Sequence, residues 1–291
     1  MNQNSEKNSS LLKEIEIICQ RKSNSNFYYT FLLLPKIKRD ALITVYKFCR
    51  VTDDIVDLDG SDNRHKSELL NYWRSELEKS IVSKSDVEIL NEVASVIKKF
   101  NIPIAHFEEL IGSVEKDIEP IRFQTFDELY SYCYGVASTV GLISIEIFGY
   151  KEEKTRAFAI NLGIAMQLTN ILRDLKSDSE IGRFYLPKDE LLQFNYSHEK
   201  LLKKTCDDSF NKLIDHQVKR AEKYYISAGE YLKTTDRKNL FSARAMGLIY
   251  LKLLKKIKKN KCQVLKTKIK ISHMQKIFLT LAVWIKYKVV Y

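Results

Sequence analysis

"KIKRDALITVYKFCRVTDDIVD", Lys36 to Asp57, decides how this chain is read. It contains no proline or glycine, and Pro35 stands just ahead of it. Apolar side chains recur at Ile37, Ala41, Val45, Phe48, Val51 and Ile55. Steps of three and four mark one face of an α-helix, and a leading proline suits a helix start. On that helix Tyr46, Arg50, Asp53 and Asp57 fall on a second stripe. The spacing predicts a helix that buries one face and presents a row of charge on another. "DGSDN", from Asp59, reads as its stop.

Working outward, the same period continues. Two amphipathic helices fit between Asp62 and Phe100, and another over Ile104–Glu119, ended by Pro120. Thr125–Tyr150 is a long apolar segment with capping chemistry at Thr125, followed by Asp127 and Glu128. Thr155–Lys176 is a further helix, closed by a turn at Gly182 and by Pro187. Phe210–Lys233 and Ser242–Lys259 complete the set. Only 9 Gly and 4 Pro occur in 291 residues, which favours long helices over many strands and turns. No strand pattern is convincing, so the expectation is one all-α domain.

Five cysteines, Cys19, Cys49, Cys133, Cys206 and Cys262, are scattered without CxxC spacing. The expectation is reduced thiols in a cytoplasmic protein. "MNQNSEKNSS" has no apolar run of the signal-peptide kind. The net charge of +11 is concentrated in one place. Residues 251–291 carry twelve lysines and no acid, leaving 36 basic and 37 acidic side chains in the rest. A near-neutral body therefore carries a basic tail.

A second stripe lies in "GIAMQLTNILRDLKSDSEIGRFYLP". Gly163, Gln167, Asn170, Asp174 and Asp178 align at helical spacing, with Arg173 beside them. Their neighbours Ile164, Ala165, Leu168, Ile171 and Leu172 are apolar, which is unlike an ordinary solvated face. A single DxxxD pair on a helix is usually just surface. Two such stripes, each after an apolar helix and each with an arginine within four residues, fit a different purpose. Hard cations such as Mg²⁺ take one or two carboxylates plus phosphate oxygens. Arginine meets phosphate oxygens directly. Facing one another, the stripes would bracket a diphosphate and stabilise it as its bond to carbon breaks. An allylic cation formed that way needs a dry cavity, for which Phe27, Tyr28, Phe31, Tyr132, Val136 and Tyr250 are candidate aromatic and apolar lining.

At this point the chain resembles the squalene/phytoene synthases. The resemblance runs from about Asn24 to Leu254 and rests on five ordered segments: "FYYTFLLLP", "YKFCRVTDDIVD", "YCYGVASTVGL", "QLTNILRDLKSD" and "GRFYLP". It implies an isoprenoid-synthase-type helical bundle with a central apolar cavity, spanning residues 21–260. Residues 1–20 would form a lead, disordered or helical, and residues 261–291 a basic amphipathic tail. It implies that Asp53 and Asp57 are the first metal–diphosphate motif, and Asn170, Asp174 and Asp178 the second. Tyr46, Arg50, Gln167, Arg173, Phe27 and Tyr250 would contact substrate, with Tyr132 near the cationic intermediate. The cofactor implied is Mg²⁺, or Mn²⁺ in its place. There is no GxGxxG, and NADPH is not expected. Ser23, Asn24, Ser25 and Asn26 depart from the Ser-rich or basic entry to the first segment that the family often shows.

Within the family, "VASTVGLISIEIFGY", "SDSEIGRFYLP" and "ISHMQKIFLTLAVWIKY" most resemble bacterial hopanoid-type members. The implied reaction joins two farnesyl diphosphates into presqualene diphosphate. The first alternative is phytoene synthesis from two geranylgeranyl diphosphates, and the second is dehydrosqualene synthesis. In the tail, Ile277, Leu281, Trp284 and Ile285 make an apolar stripe flanked by Lys276, Lys286 and Lys288. "IFLTLAVWI" is far shorter than the ~20 residues of a membrane span. Two readings stay open: an interfacial helix on the inner face of the plasma membrane, or a helix packed on the body. Downstream pathway enzymes are further candidate partners. A nucleic-acid binder is disfavoured, because no recognition motif accompanies the lysines.

Overall fold

Helix α1 (Asn2–Cys19), the short α2 (Tyr28–Phe31) and α3 (Lys36–Val56) open the chain. They are followed by α4 (Asn63–Val82), α5 (Glu88–Phe100) and α6 (Ala105–Val114), which a 3₁₀ turn over Glu115–Ile118 extends. These elements form one compact unit, residues 1–119, in a computed structural model that describes residues 2–21 and 28–289. α3 is its centre and packs on α1, α4, α5 and α6. The reason is the apolar stripe: Ala41, Val45, Phe48, Val51 and Ile55 are all buried. Phe48 stacks on Trp73 with ring centroids 5.4 Å apart and meets Phe107 edge-on at 5.2 Å. The Trp73 indole N–H donates to Thr52 Oγ1 at 3.0 Å, so the one polar atom of that ring is satisfied inside the core. Leu11, Ile15 and Ile18 of α1 are buried too, which gives residues 2–19 a packed face.

The second unit, residues 120–291, is built on α9 (Lys154–Glu180). Before it run α7 (Phe126–Cys133), a π-helical turn over Tyr134–Ser138 and α8 (Thr139–Phe148). Thr125 caps α7 by accepting from the Glu128 N–H, and Glu128 reaches back to the Gln124 N–H at 2.6 Å. The helix Phe126–Phe148 is long and apolar enough to cross a bilayer, yet over half of its apolar window is buried within the protein. Its π turn lies in "YGVAS" and packs on α9 at Gly163. A Cβ at Gly163 would sit 2.7 Å from Ser138 Cα, so only glycine permits that approach. The α9 start is capped from far away: buried Asp236 accepts from the Lys151 and Glu152 N–H groups and from Thr155 Oγ1. Carboxylate at a helix N-terminus also complements the helix dipole.

Beyond α9 come α10 (Lys188–Gln193), α11 (His198–Leu202), α12 (Asp208–Tyr231), α13 (Phe241–Lys259) and α14 (His273–Val289). α12 and α13 pack on α9, and α14 packs on α13. No strand occurs among the described residues; a lone bridge pairs Arg122 with Phe184. The short α10 and α11 escape a periodicity argument because neither is long enough to show one. The expectation of reduced cysteines needs correction. Cys206 and Cys262 form a disulfide that ties the start of α12 to the segment after α13, while Cys19, Cys49 and Cys133 remain free. Spacing along the chain could not show this pairing, since the two residues lie 56 apart and meet only in the fold.

Candidate functional site

The first acidic stripe ends α3. Asp57 caps the helix, its N–H donating to the Asp53 carbonyl at 3.0 Å, so the four-residue spacing of the two acids is kept. Arg50 does not point at them freely. Its guanidinium holds buried Asp54 at 2.6 Å. Asp54, between the stripe and the core, is thus the residue that pairs. Asp53 is reached by water yet heavily surrounded by protein. That surrounding, then the charges of Asp57 and Asp117, push its carboxyl up to about 7, against the pull of Arg50. Tyr46 lies half-buried one turn further back on α3.

The second stripe lies on the last three turns of α9. Asn170 Nδ2 donates to Gln167 Oε1 at 3.2 Å, which turns Asn170 Oδ1 away from its neighbour. That oxygen is buried and has no hydrogen-bond partner. Asp174 is held on both sides: Arg173 clamps it with two bonds, and Lys268 reaches it at 2.9 Å. Burial alone would raise the Asp174 carboxyl, but these cations hold it below the ordinary range. Asp178 is different. Burial and the charge of Asp174 push it up to about 7, despite Arg183 and Lys268 nearby. Arg183 is placed by the turn that closes α9, where Gly182 has φ +80° and the Arg183 N–H bonds the Asp178 carbonyl at 2.8 Å. Burial disfavours the Arg173 cation, but bonds to Asp174 and Tyr250 more than offset it. Tyr250 of α13 is therefore a neighbour of the second stripe through Arg173.

An aromatic cluster lies in the same unit. Buried Tyr132 packs against Tyr185 at 5.3 Å and Phe123 at 5.4 Å, and its hydroxyl meets that of Tyr185 at 3.5 Å. The fold thus joins "YCYGVAS" to "GRFYLP". Tyr225 of α12 bonds Thr169 Oγ1 at 3.0 Å, beside the second stripe. Phe31 is buried in the first unit, and Val136 is half-buried in the π turn. Phe27 and Ser23 to Asn26 lie outside the described residues, as does the Tyr28 side chain.

Sequence reasoning missed Lys268, Lys276, Tyr185 and Tyr225. The lysines were read only as members of a basic tail. Yet Lys268 pairs with Asp174, and Lys276 is buried near enough to Arg173 for that charge, after burial itself, to lower its own affinity for a proton. No ready-made cage of three His, Cys, Asp or Glu side chains occurs among the described residues. Each stripe by itself offers donors of the kind a hard cation takes: on α9 an orphaned buried amide oxygen and the raised carboxyl of Asp178, and on α3 the raised carboxyl of Asp53. Mg²⁺ sites of this kind complete their shell with water and substrate phosphate.

The fold is all-helical, and each of its two units carries a row of aligned acids on a long helix. The chain matches the squalene/phytoene synthase family model over residues 20–275. It belongs to that family, prenyltransferases of head-to-head prenyl diphosphate condensation. It is 32% identical to 15-cis-phytoene synthase of Synechococcus elongatus, over 82% of this chain and 81% of that one. It is 34% identical to a phytoene synthase of Arthrospira platensis, again over 82% and 81%. A dehydrosqualene synthase crystal structure superposes with a TM-score of 0.79 and 29% identity, over 98% of this chain and 99% of that one. A squalene synthase of Alicyclobacillus acidocaldarius shares the fold, with a TM-score of 0.74 at 22% identity over 87% and 95%.

Proposed function

We propose that this enzyme joins two geranylgeranyl diphosphates head to head on the way to phytoene. The comparisons support this reading better than the hopanoid-type expectation, since the curated relatives at 32% and 34% identity are phytoene synthases. The observation that carries the site chemistry is the unpartnered Asn170 Oδ1, aligned with Asp174 and Asp178 on one face of α9. Mg²⁺ bound by Asp53, Asp57, Asn170, Asp174 and Asp178 would supply charge neutralisation of the leaving diphosphate. Arg50, which also holds Asp54, would supply positive charge beside the first stripe, and Arg173, Lys268 and Lys276 beside the second.

The first allylic C–O bond breaks, and the diphosphate leaves with the bonding pair. The 2,3 double bond of the second substrate attacks the allylic carbon. Loss of one proton then closes a cyclopropane. A diphosphate oxygen is a far stronger base than a neutral phenol, so the released diphosphate takes that proton. The Tyr132, Tyr185 and Phe123 rings offer π faces worth ~0.5–2 kcal/mol to a passing cation. Gln167, Tyr46 and Tyr250 position the diphosphates.

A second reading keeps farnesyl diphosphate as substrate. The dehydrosqualene synthase match, spanning nearly the whole of both chains, supports it. The two are separated by incubating the protein with Mg²⁺ and each diphosphate in turn, without NADPH, and identifying the extracted lipid by mass spectrometry. The expected result is a C40 product from the longer substrate, abolished by EDTA. Turnover of farnesyl diphosphate alone would replace the substrate assignment.

A further inference from the structure

α14 is inside out. Its solvent side carries Met274, Ile277, Phe278, Leu281 and Ile285, which are between 38% and 74% exposed. At 100° per residue these five fall within an arc of about 100° along the length of the helix. The side facing the protein carries Lys276, Thr280, Val283 and Tyr287, all buried. A helix that only packed on the body would show the reverse pattern. Nor is α14 free to roll over. Arg244 of α13 stacks on the Tyr287 ring at 4.6 Å near one end, and Lys276 is buried near the other. Lys256 of α13 bonds the Lys270 carbonyl just ahead of the helix, so the two helices run antiparallel. The inner face is committed, which leaves the apolar face outward.

Two kinds of occupant would cover such a face, and charge separates them. The segment 251–291 holds twelve lysines and no acid. Lys255, Lys270 and Lys286, on α13, before α14 and on it, are exposed. A second copy docked face to face would bring like charges together. An anionic lipid surface would instead pair with the lysines and accept the apolar side chains. We propose that the outer face of α14 is a membrane-docking surface for anionic bilayers, with Met274, Phe278 and Ile285 inserted and the lysines on headgroups. The sequence alone left open an interfacial helix or a packed one; on this proposal α14 is both, using opposite faces. This inference does not depend on which prenyl diphosphate is the substrate.

The test is flotation of the full chain with vesicles of phosphatidylcholine alone or with about 30% phosphatidylglycerol, at about 0.15 M salt. Binding to the anionic vesicles is expected, with little to the neutral ones. The variant Phe278→Ser with Ile285→Ser is expected to bind at least about tenfold more weakly, while turning over detergent-dispersed substrate like the parent. No binding by the parent overturns the proposal. So does equal binding by parent and variant, which would leave the lysines alone responsible. Sedimentation showing a dimer that the double variant dissolves would assign the face to a second copy and overturn it as well. Failure of prenyltransfer in detergent would instead count against the proposed function, and would leave the vesicle result standing.

Discussion

The two acidic stripes share a spacing and differ in their electrostatics. On α3, the arginine one turn back is spent on Asp54, and Asp53 is left among like charges with its carboxyl at about 7. On α9, Arg173 and Lys268 neutralise Asp174, and it is the downstream Asp178 that rises to about 7. Each stripe therefore presents one carboxyl that still calls for a cation, at opposite ends of the same DxxxD pattern. The lesson is that spacing sets which acids share a face, while burial first, and then the neighbouring charges, set which of them is raised. The second stripe also recruits a lysine from 94 positions further along the chain.

The sharpest way to break the comparison is to neutralise the poised acids. Asp53→Asn and Asp178→Asn are each expected to lower turnover about 10²–10³-fold, with helix content unchanged by circular dichroism. An effect confined to one stripe would show that only that stripe engages diphosphate. Next in size is the disulfide, which lies in the same unit as the second stripe. Lys268 follows Cys262 by only six residues. Reduction, or Cys206→Ser, is expected to cost about 2–4 kcal/mol of stability, read as a lower denaturant midpoint. It should also raise KM and leave metal affinity at Asp53 unchanged.

Lys268→Gln is expected to raise KM for the diphosphate substrate about tenfold, or ~1.4 kcal/mol, with a smaller change in kcat. Equal losses in both would mean that the lysine acts in the transition state. The smallest effect concerns pH. Asp53 and Asp178 have folded values near 7, above their ordinary 3.8, so the folded state binds more protons between those limits. Stability is therefore lost as pH rises through that window. In EDTA, Tm should be about 2–4 °C higher at pH 5.5 than at pH 7.5, and the double Asn variant should flatten the difference. Asp174 and Glu190, both held low by their cationic partners, are ionised at either pH and do not contribute. Mg²⁺ with pyrophosphate should raise Tm most at the higher pH, where both acids are charged.

Much of the fold was legible because the apolar period is long and breakers are few. Ile37 was expected on the buried face and is exposed, because it sits on the first turn of α3, before the core begins. The capping at Thr125 and the turn at Gly182 were readable from residue type, since both are local chemistry. The π turn in "YGVAS" was not, because its counterpart is Gly163, 25 to 29 residues away.

The sequence by itself determined most of the long helices, the two aligned stripes and a family resemblance that the comparisons support. These depend on neighbours within one or two turns, and a helix repeats every 3.6 residues whatever surrounds it. Tertiary structure decided the rest: that Arg50 goes to Asp54, that Lys268 joins Asp174, that Cys206 meets Cys262, and that α14 turns its apolar side outward. Those outcomes depend on burial and on long-range charge, both fixed only when distant segments pack together.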